Sequence, residues 1–115
     1  MNININYLFN PLETPPRSWD FCGEPCAPIN VEEIQAAVDG KRFQTEHFQD
    51  FCGKQRQWHI ERIAYLVILG AEHWYPIWVP TWSEQTTDGR LIPQDGSHRL
   101  AAAIFLKLSD IRIAE

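Results

Sequence analysis

The chain has 115 residues, enough for one hydrophobic core and too few for a second. Hydrophobic residues make up 44% and charged residues 22%, with five tryptophans, so a disordered chain is excluded. A formal net charge of -5 excludes a surface that attracts nucleic acid everywhere, while leaving room for a local basic pocket on an acidic body.

In chain order, Asn2 to Phe9 alternates polar and apolar residues, which predicts a half-buried strand with Ile3, Ile5, Tyr7 and Phe9 on one face. The Met1-Asn2-Ile3-Asn4 start has no basic region followed by an apolar signal core. No apolar run nears the roughly 20 residues that span a bilayer, so a cytoplasmic protein without a membrane partner is expected. Residues 11–28 carry prolines at 11, 15, 16, 25 and 28, which allow neither a helix nor a central strand, and a surface loop is expected. Cys22, Cys26 and Cys52 are an odd count, so reduced thiols are expected. With His47 they include zinc-ligand types, but at irregular spacing, and no metal site is predicted.

Asn30 ahead of Val31-Glu32-Glu33-Ile34 reads as an N-cap with acids in the first turn, predicting a helix over 31–38 that Asp39-Gly40 ends. A second helical stretch is predicted within 45–51. The clearest helix is over 57–69, where Ile60, Ile63, Ala64 and Val67 recur at helical spacing and Gly70 stands at a left-handed C-cap. On it, His59 and Arg62 lie three apart on another face. Pro76-Ile77-Trp78-Val79 has strand composition, and Thr86-Thr87-Asp88-Gly89 supplies a turn before Arg90-Leu91-Ile92, so a hairpin or near-hairpin is expected. The last helix is predicted over 97–108 and a short strand over 111–113.

The chemistry concentrates between a strand ending near Gln94 and that last helix, at Asp95-Gly96-Ser97-His98-Arg99. A helix start presents unpaired N–H groups and a positive dipole end, which attract anions. Gly96 lets backbone approach a ligand closely, Ser97 offers a cap or a hydroxyl, and Arg99 a forked donor matched to phosphate oxygens. His98 is placed to donate to a phosphate or move a proton, and Asp95 to accept from a hydroxyl or act as a base. The plain alternative is a capped tight turn with Arg99 paired to a nearby acid. Glu61 is a candidate base beside the competing reading of a surface acid, and His59 and Arg62 are candidates to reach the same pocket from the long helix.

The run Asp95-Gly96-Ser97-His98-Arg99-Leu100-Ala101-Ala102-Ala103, with Ile111-Arg112-Ile113 after it and His59 to Val67, Gly70 and Pro76 to Val79 before it, resembles the ParB/sulfiredoxin superfamily over roughly the C-terminal half. The resemblance implies a single compact α+β domain over 1–115, a small mixed sheet flanked by helices, that places nucleotide or nucleic-acid phosphates on this turn. Partition CTPases, sulfiredoxins, free-serine kinases and some nucleases share that arrangement, and fold alone does not select among them. Ser97 stands where sulfiredoxins carry their reactive cysteine, so their thiol chemistry is not expected. Partition proteins carry a Gly-Glu-Arg-Arg version and continue into a DNA-binding region, whereas this chain ends at Glu115, so a DNA-clamp role is not expected either. The Asp-Gly-x-His-Arg form is closer to the kinase-like and uncharacterised branches. The implied function is therefore binding of a nucleotide (ATP, ADP or CTP, with Mg as helper) or of a nucleic-acid phosphate, with phosphoryl transfer or phosphate-ester hydrolysis at Asp95, His98 and Glu61. The binding groups would be Gly96, Ser97, His98, Arg99, His59 and Arg62. Alternatives are a nuclease and a non-enzymatic accessory protein of a phage or plasmid system that binds a protein partner through Trp74, Tyr75, Trp78 and Trp82.

Overall fold

A computed structural model describes residues 1–46 and 53–114. The chain builds an α+β fold of three helices, α1 (Val31–Asp39), α2 (Arg56–Leu69) and α3 (Ser97–Phe105), beside an antiparallel pair of strands, β1 (Asn2–Asn4) and β2 (Asp110–Arg112). The two ends of the described chain meet in that pair, with Ile3 opposite Ile111. No helix among the described residues is long and apolar enough to cross a membrane.

The alternation from Asn2 to Phe9 does not stay extended. The Asn4 side chain accepts from the backbone N–H of Asn6 at 2.8 Å and starts a single tight turn over Ile5–Tyr7. Asparagine competes for backbone in this way, and here it shifts the register. Tyr7 is left exposed, while Leu8 and Phe9 enter the core.

Helix α1 begins with a full capping box: Asn30 accepts from the N–H of Glu33, and Glu33 accepts from the N–H of Asn30. Its end is a Schellman pair, with Arg42 N–H on the Ala37 carbonyl and Lys41 N–H on the Val38 carbonyl. The residue with positive φ there is Lys41, at 54°, rather than the neighbouring Gly40 expected to end the helix. Helix α3 closes by the same pattern through Lys107, at φ 57°, which stops it at Phe105, short of the 108 expected. Gly70 does close α2, with φ 92° and ψ 143°, a positive-φ conformation but not the left-handed helical one anticipated.

α2 is the central element, packed against α1 on one side and α3 on the other. Ile60, Ile63 and Ala64 of α2 and Leu100, Ala101, Ala102 and Ala103 of α3 are all fully or nearly fully buried. Four consecutive buried positions on α3 mean that it is covered on most sides, and alanine lets its neighbours come close. Arg56, in the first turn of α2, grips Glu33 with both terminal nitrogens and donates to the carbonyls of Ala27 and Pro28, which joins α1, α2 and the loop end.

The hairpin expected between 76–82 and 90–92 forms only in part. Thr86 to Gly89 does reverse the chain, but the partner of 90–92 is 84–86, joined by the Ile92 N–H to the Glu84 carbonyl and the Thr86 N–H to the Arg90 carbonyl. Pro76, Pro80 and Pro93 lack N–H donors and keep the 76–82 stretch from joining a longer ladder. Ile77 instead bridges to Ile113, and Trp78 bridges to Asp95. The helical stretch expected over 45–51, with His47 and Cys52, falls mostly outside the described residues.

The proline-bearing stretch 11–28 departs most from expectation. It lacks regular helix or strand beyond one turn over Arg17–Trp19, yet it is no mere surface loop. Pro11, Leu12 and Trp19 are buried, as is Ile29 at its end, and the Ile29 N–H donates to the Leu12 carbonyl at 2.9 Å. These anchors hold it across the helices, and Trp19, 2% exposed, reaches α2 and α3.

Candidate functional site: an arginine-lined cleft over a tryptophan–histidine cluster

The turn ahead of α3 is held from below. Trp78 N–H donates to the Asp95 carbonyl at 3.0 Å, and Gln94 N–H to the Trp78 carbonyl at 2.9 Å. That pairing brings Gly96 directly over Ile77. A Cβ on Gly96 would stand 2.3 Å from Ile77 Cγ2, and its φ is 109°, so two independent constraints require glycine. Gly96 rather than Ser97 occupies the cap position, and Ser97 is the first helical residue. Gly96 has no side chain with which to cap α3, so the capping role expected of Ser97 is not taken up at that position.

Beside this turn opens a cleft of about 450 Å³ bordered by Arg62 and Tyr65 of α2, by His73, Tyr75 and Pro76, and by Asp95, Gly96, His98 and Arg99. Its volume falls in the range that holds a small organic ligand. Arg62 crosses to the far wall and donates to the carbonyls of Gln44 and Thr45 at 3.3 and 3.0 Å, while stacking over Tyr65 at 5.4 Å. Burial pulls its guanidinium below the usual arginine range, and the charge of Arg99 pulls it the same way. Arg99, with its side chain 12% exposed, donates to the carbonyls of Tyr75 and Pro76 at 2.7 and 2.9 Å and pairs with Asp95 at 3.0 Å. Arg99 thus has a scaffolding task as well as a place on the cleft, and the acid pairing of the plain reading is present. Among the described residues, two arginines, two histidines and one aspartate line the cleft, on a protein whose net charge is -5.

Under the cleft lies a ring cluster. His59 Nδ1 and His98 Nε2 are 2.8 Å apart, and His59 Nε2 is 3.2 Å from the Lys54 carbonyl. A carbonyl only accepts, so the His59 proton resides on Nε2 and its Nδ1 carries a lone pair. His98 Nε2–H is then the donor between the rings. Both imidazoles lie flat against the indole of Trp19, at 5.0 and 4.6 Å, and Trp58 meets both edge-on at 5.3 and 5.7 Å. Burial pushes His59 down to about 4, against the upward pull of the Lys54 and Trp19 carbonyls. His59 is therefore neutral in ordinary conditions, and it fixes the position of His98 from beneath.

Of the residues singled out from sequence, Asp95, Gly96, His98, Arg99 and Arg62 meet at the cleft. His59 does not line it but supports His98, and Ser97 is not among the lining residues. Glu61 does not line the cleft: half-buried on α2, its carboxylate accepts from Gln57 at 2.9 Å. Sequence reasoning passed over Tyr65, three residues beyond Arg62 and legible from helical spacing. It also passed over Trp58, next to His59, and Trp19, which nothing in the sequence links to this turn. Of the aromatic group 74–82, Trp74 is core: 5% exposed, it donates its indole N–H to the Leu66 carbonyl at 2.9 Å. Tyr75, Trp78 and Trp82 are exposed, the two tryptophans edge to face at 5.7 Å. Among the described residues no group of three or more His, Cys, Asp or Glu converges as a metal site.

No family model, no curated protein and no solved structure matches the chain.

Proposed function

We propose that this chain is a phosphate-binding domain of the ParB/sulfiredoxin type that takes a nucleotide, or a nucleic-acid phosphate, in the cleft beside Gly96. The observation that carries the reading is the convergence of Arg62, Arg99, His98 and the cap of α3 on one cleft of an otherwise acidic protein. Guanidiniums and a helix start bordering one cleft suit the spread-out charge of a phosphoryl group better than a neutral ligand. Tyr65 and Tyr75 border the same space and offer ring faces to a base. The family assignment is supported by the order of α2, the Pro76-Ile77 segment, the Asp95-Gly96 turn and α3.

Were the domain an enzyme, phosphoryl transfer or phosphate-ester hydrolysis would be its class, with charge stabilisation by Arg62, Arg99 and the α3 N–H groups as the main contribution and His98 as the proton-moving group. Glu61 is not among the residues lining the cleft, and Asp95 is paired with Arg99. Calorimetric titration with ATP, ADP, CTP and GTP, with and without magnesium, tests the binding. Heat with at least one nucleotide that disappears in Arg62→Gln is expected, and no heat with any of them overturns the reading. A second reading, a non-enzymatic protein that binds a partner protein, is favoured by one observation, the exposed Trp78–Trp82 pair. It requires Trp82→Ala to abolish function and Arg62→Gln to leave it intact.

A further inference from the structure

Arg62 divides its donors between two directions. The carbonyls of Gln44 at 3.3 Å and Thr45 at 3.0 Å are both met by Nη1, which has two hydrogens to give. Nε and Nη2 form the other edge of the guanidinium and make no hydrogen bond among the described residues, and no carboxylate among them pairs with the charge. That edge presents two parallel N–H groups, the fork that a pair of phosphate oxygens accepts. The guanidinium lies over the Tyr65 ring at 5.4 Å, and Arg62, Tyr65 and Thr45 all line the cleft. Arg99 is differently placed: its Nη1 is engaged by the carbonyls of Tyr75 and Pro76 and its Nη2 by Asp95.

Resting on the phosphate-binding reading above, we infer that Arg62 receives the phosphate side-on through Nε and Nη2 while Nη1 keeps its hold on residues 44 and 45, so that ligand binding and the hold on this wall are coupled, with Tyr65 as the positioning residue. The sign of the coupling follows from hydration. The wall covers a guanidinium whose charged form burial disfavours, and the charge of Arg99 disfavours it further. Without a ligand, releasing the wall rehydrates that charge, which offsets part of what the two hydrogen bonds gain. A bound anion compensates the charge and fixes the guanidinium plane, so the wall is held more firmly. By reciprocity, a change that loosens residues 44 and 45 weakens phosphate binding by the same factor. Two other bonds secure this wall, the Gln44 N–H on the Glu61 carbonyl at 3.1 Å and the Glu46 N–H on the Gln44 side chain at 3.2 Å, and these amides report on it.

The test is amide hydrogen exchange and arginine side-chain NMR of the full chain, without ligand and with saturating inorganic phosphate, beside the phosphate affinity of variants. With phosphate, the Arg62 Nε–H signal should move and exchange at Gln44 and Glu46 should slow by at least about fivefold, while the Glu33 amide in the cap of α1 is unchanged. Arg62→Lys keeps a positive charge without the fork, and should bind phosphate at least about tenfold more weakly with no slowing at Gln44. Tyr65→Phe should retain the affinity and Tyr65→Leu should lose about threefold. Should Tyr65→Leu not fold, the wild-type exchange and Arg62→Lys decide alone. Phosphate binding with exchange at Gln44 unchanged or faster, or equal affinity in Arg62→Lys, overturns the inference and leaves the phosphate-binding reading standing. Absence of phosphate binding overturns the inference, and absence of nucleotide heat in calorimetry as well overturns both.

Discussion

The stretch 11–29 and the turn 95–99 both contribute to the candidate site, and they do so by opposite means. The turn is specified locally: Gly96 has a conformation that other residues rarely adopt, Ile77 leaves no room for a Cβ, and the residues that follow are the first turn of a helix. The proline-bearing stretch has hardly any regular structure to specify. It is located by buried side chains, Pro11, Leu12, Trp19 and Ile29, and its contribution is one indole face against His59 and His98. The turn presents groups to the cleft, and the stretch determines how rigidly one of them is presented. A short motif can thus carry the chemistry while its precision depends on a side chain about 80 residues away in sequence, brought near by tertiary packing.

That contrast can be broken at either end, and the largest effect is expected at the tryptophan. Trp19→Ala removes a 2% exposed indole and should cost about 3–5 kcal/mol in urea denaturation, with loss of the His59–His98 alignment visible as altered ring shifts. A cost below about 1 kcal/mol would show that the stretch is not anchored through this residue. Gly96→Ala adds a Cβ against Ile77 at a positive φ and should destabilise by about 2–4 kcal/mol. Retention of wild-type stability would mean that the turn is less tightly set than its geometry implies.

The pH dependence of stability probes the two regions where they touch. His59 has its pKa lowered to about 4 in the folded protein from an ordinary 6.5, so the unfolded chain binds the extra proton first as pH falls. Stability from this group is complete above about pH 6.5 and declines down to about pH 4, by about 3 kcal/mol at that single, nearly fully buried ring. His59→Phe should flatten that part of the profile, measured by denaturation at several pH values, and an unchanged slope would contradict the buried neutral assignment. The smallest effect lies at the far end of the proline stretch. Asn30→Ala removes the side-chain half of the capping box of α1 and should cost about 1 kcal/mol, without altering the pH profile of His59.

What could be read from the sequence follows the same division. Asn30 ahead of two glutamates, the Ile60-Ile63-Ala64 spacing and the Asp95-Gly96 break before an alanine run are local signals, and all three helices stand within a few residues of where these signals put them. So is the meeting of Arg62 with the turn, to the extent that both were singled out. Helix ends were harder, because Lys41 adopts the positive-φ position next to the Gly40 expected to end its helix, and Lys107 one that no glycine marks. The extended-chain readings fared worst. Asn4 converts an alternating run into a turn, and three prolines divert 76–93 into isolated bridges, since strand pairing is decided by partners that local alternation does not name. Nothing local pointed to Trp19. An aromatic residue among prolines and charges reads as surface until its binding place, built from two separate helices, exists. The burial of Trp74 beside the exposed Trp78 and Trp82 was likewise invisible, because all three share composition and differ only in which backbone carbonyl or open face their neighbours provide.

The central claim is that an anion is received between the head of α3 and Arg62. Mapping of amide and arginine side-chain shifts on the intact chain during titration with ADP tests it directly. The largest changes are expected at Gly96, Ser97, His98 and Arg99 and at the Arg62 guanidinium, with Trp78 and Trp82 little affected. Changes confined to the exposed tryptophan pair, or none at the turn at saturating nucleotide, would contradict the account.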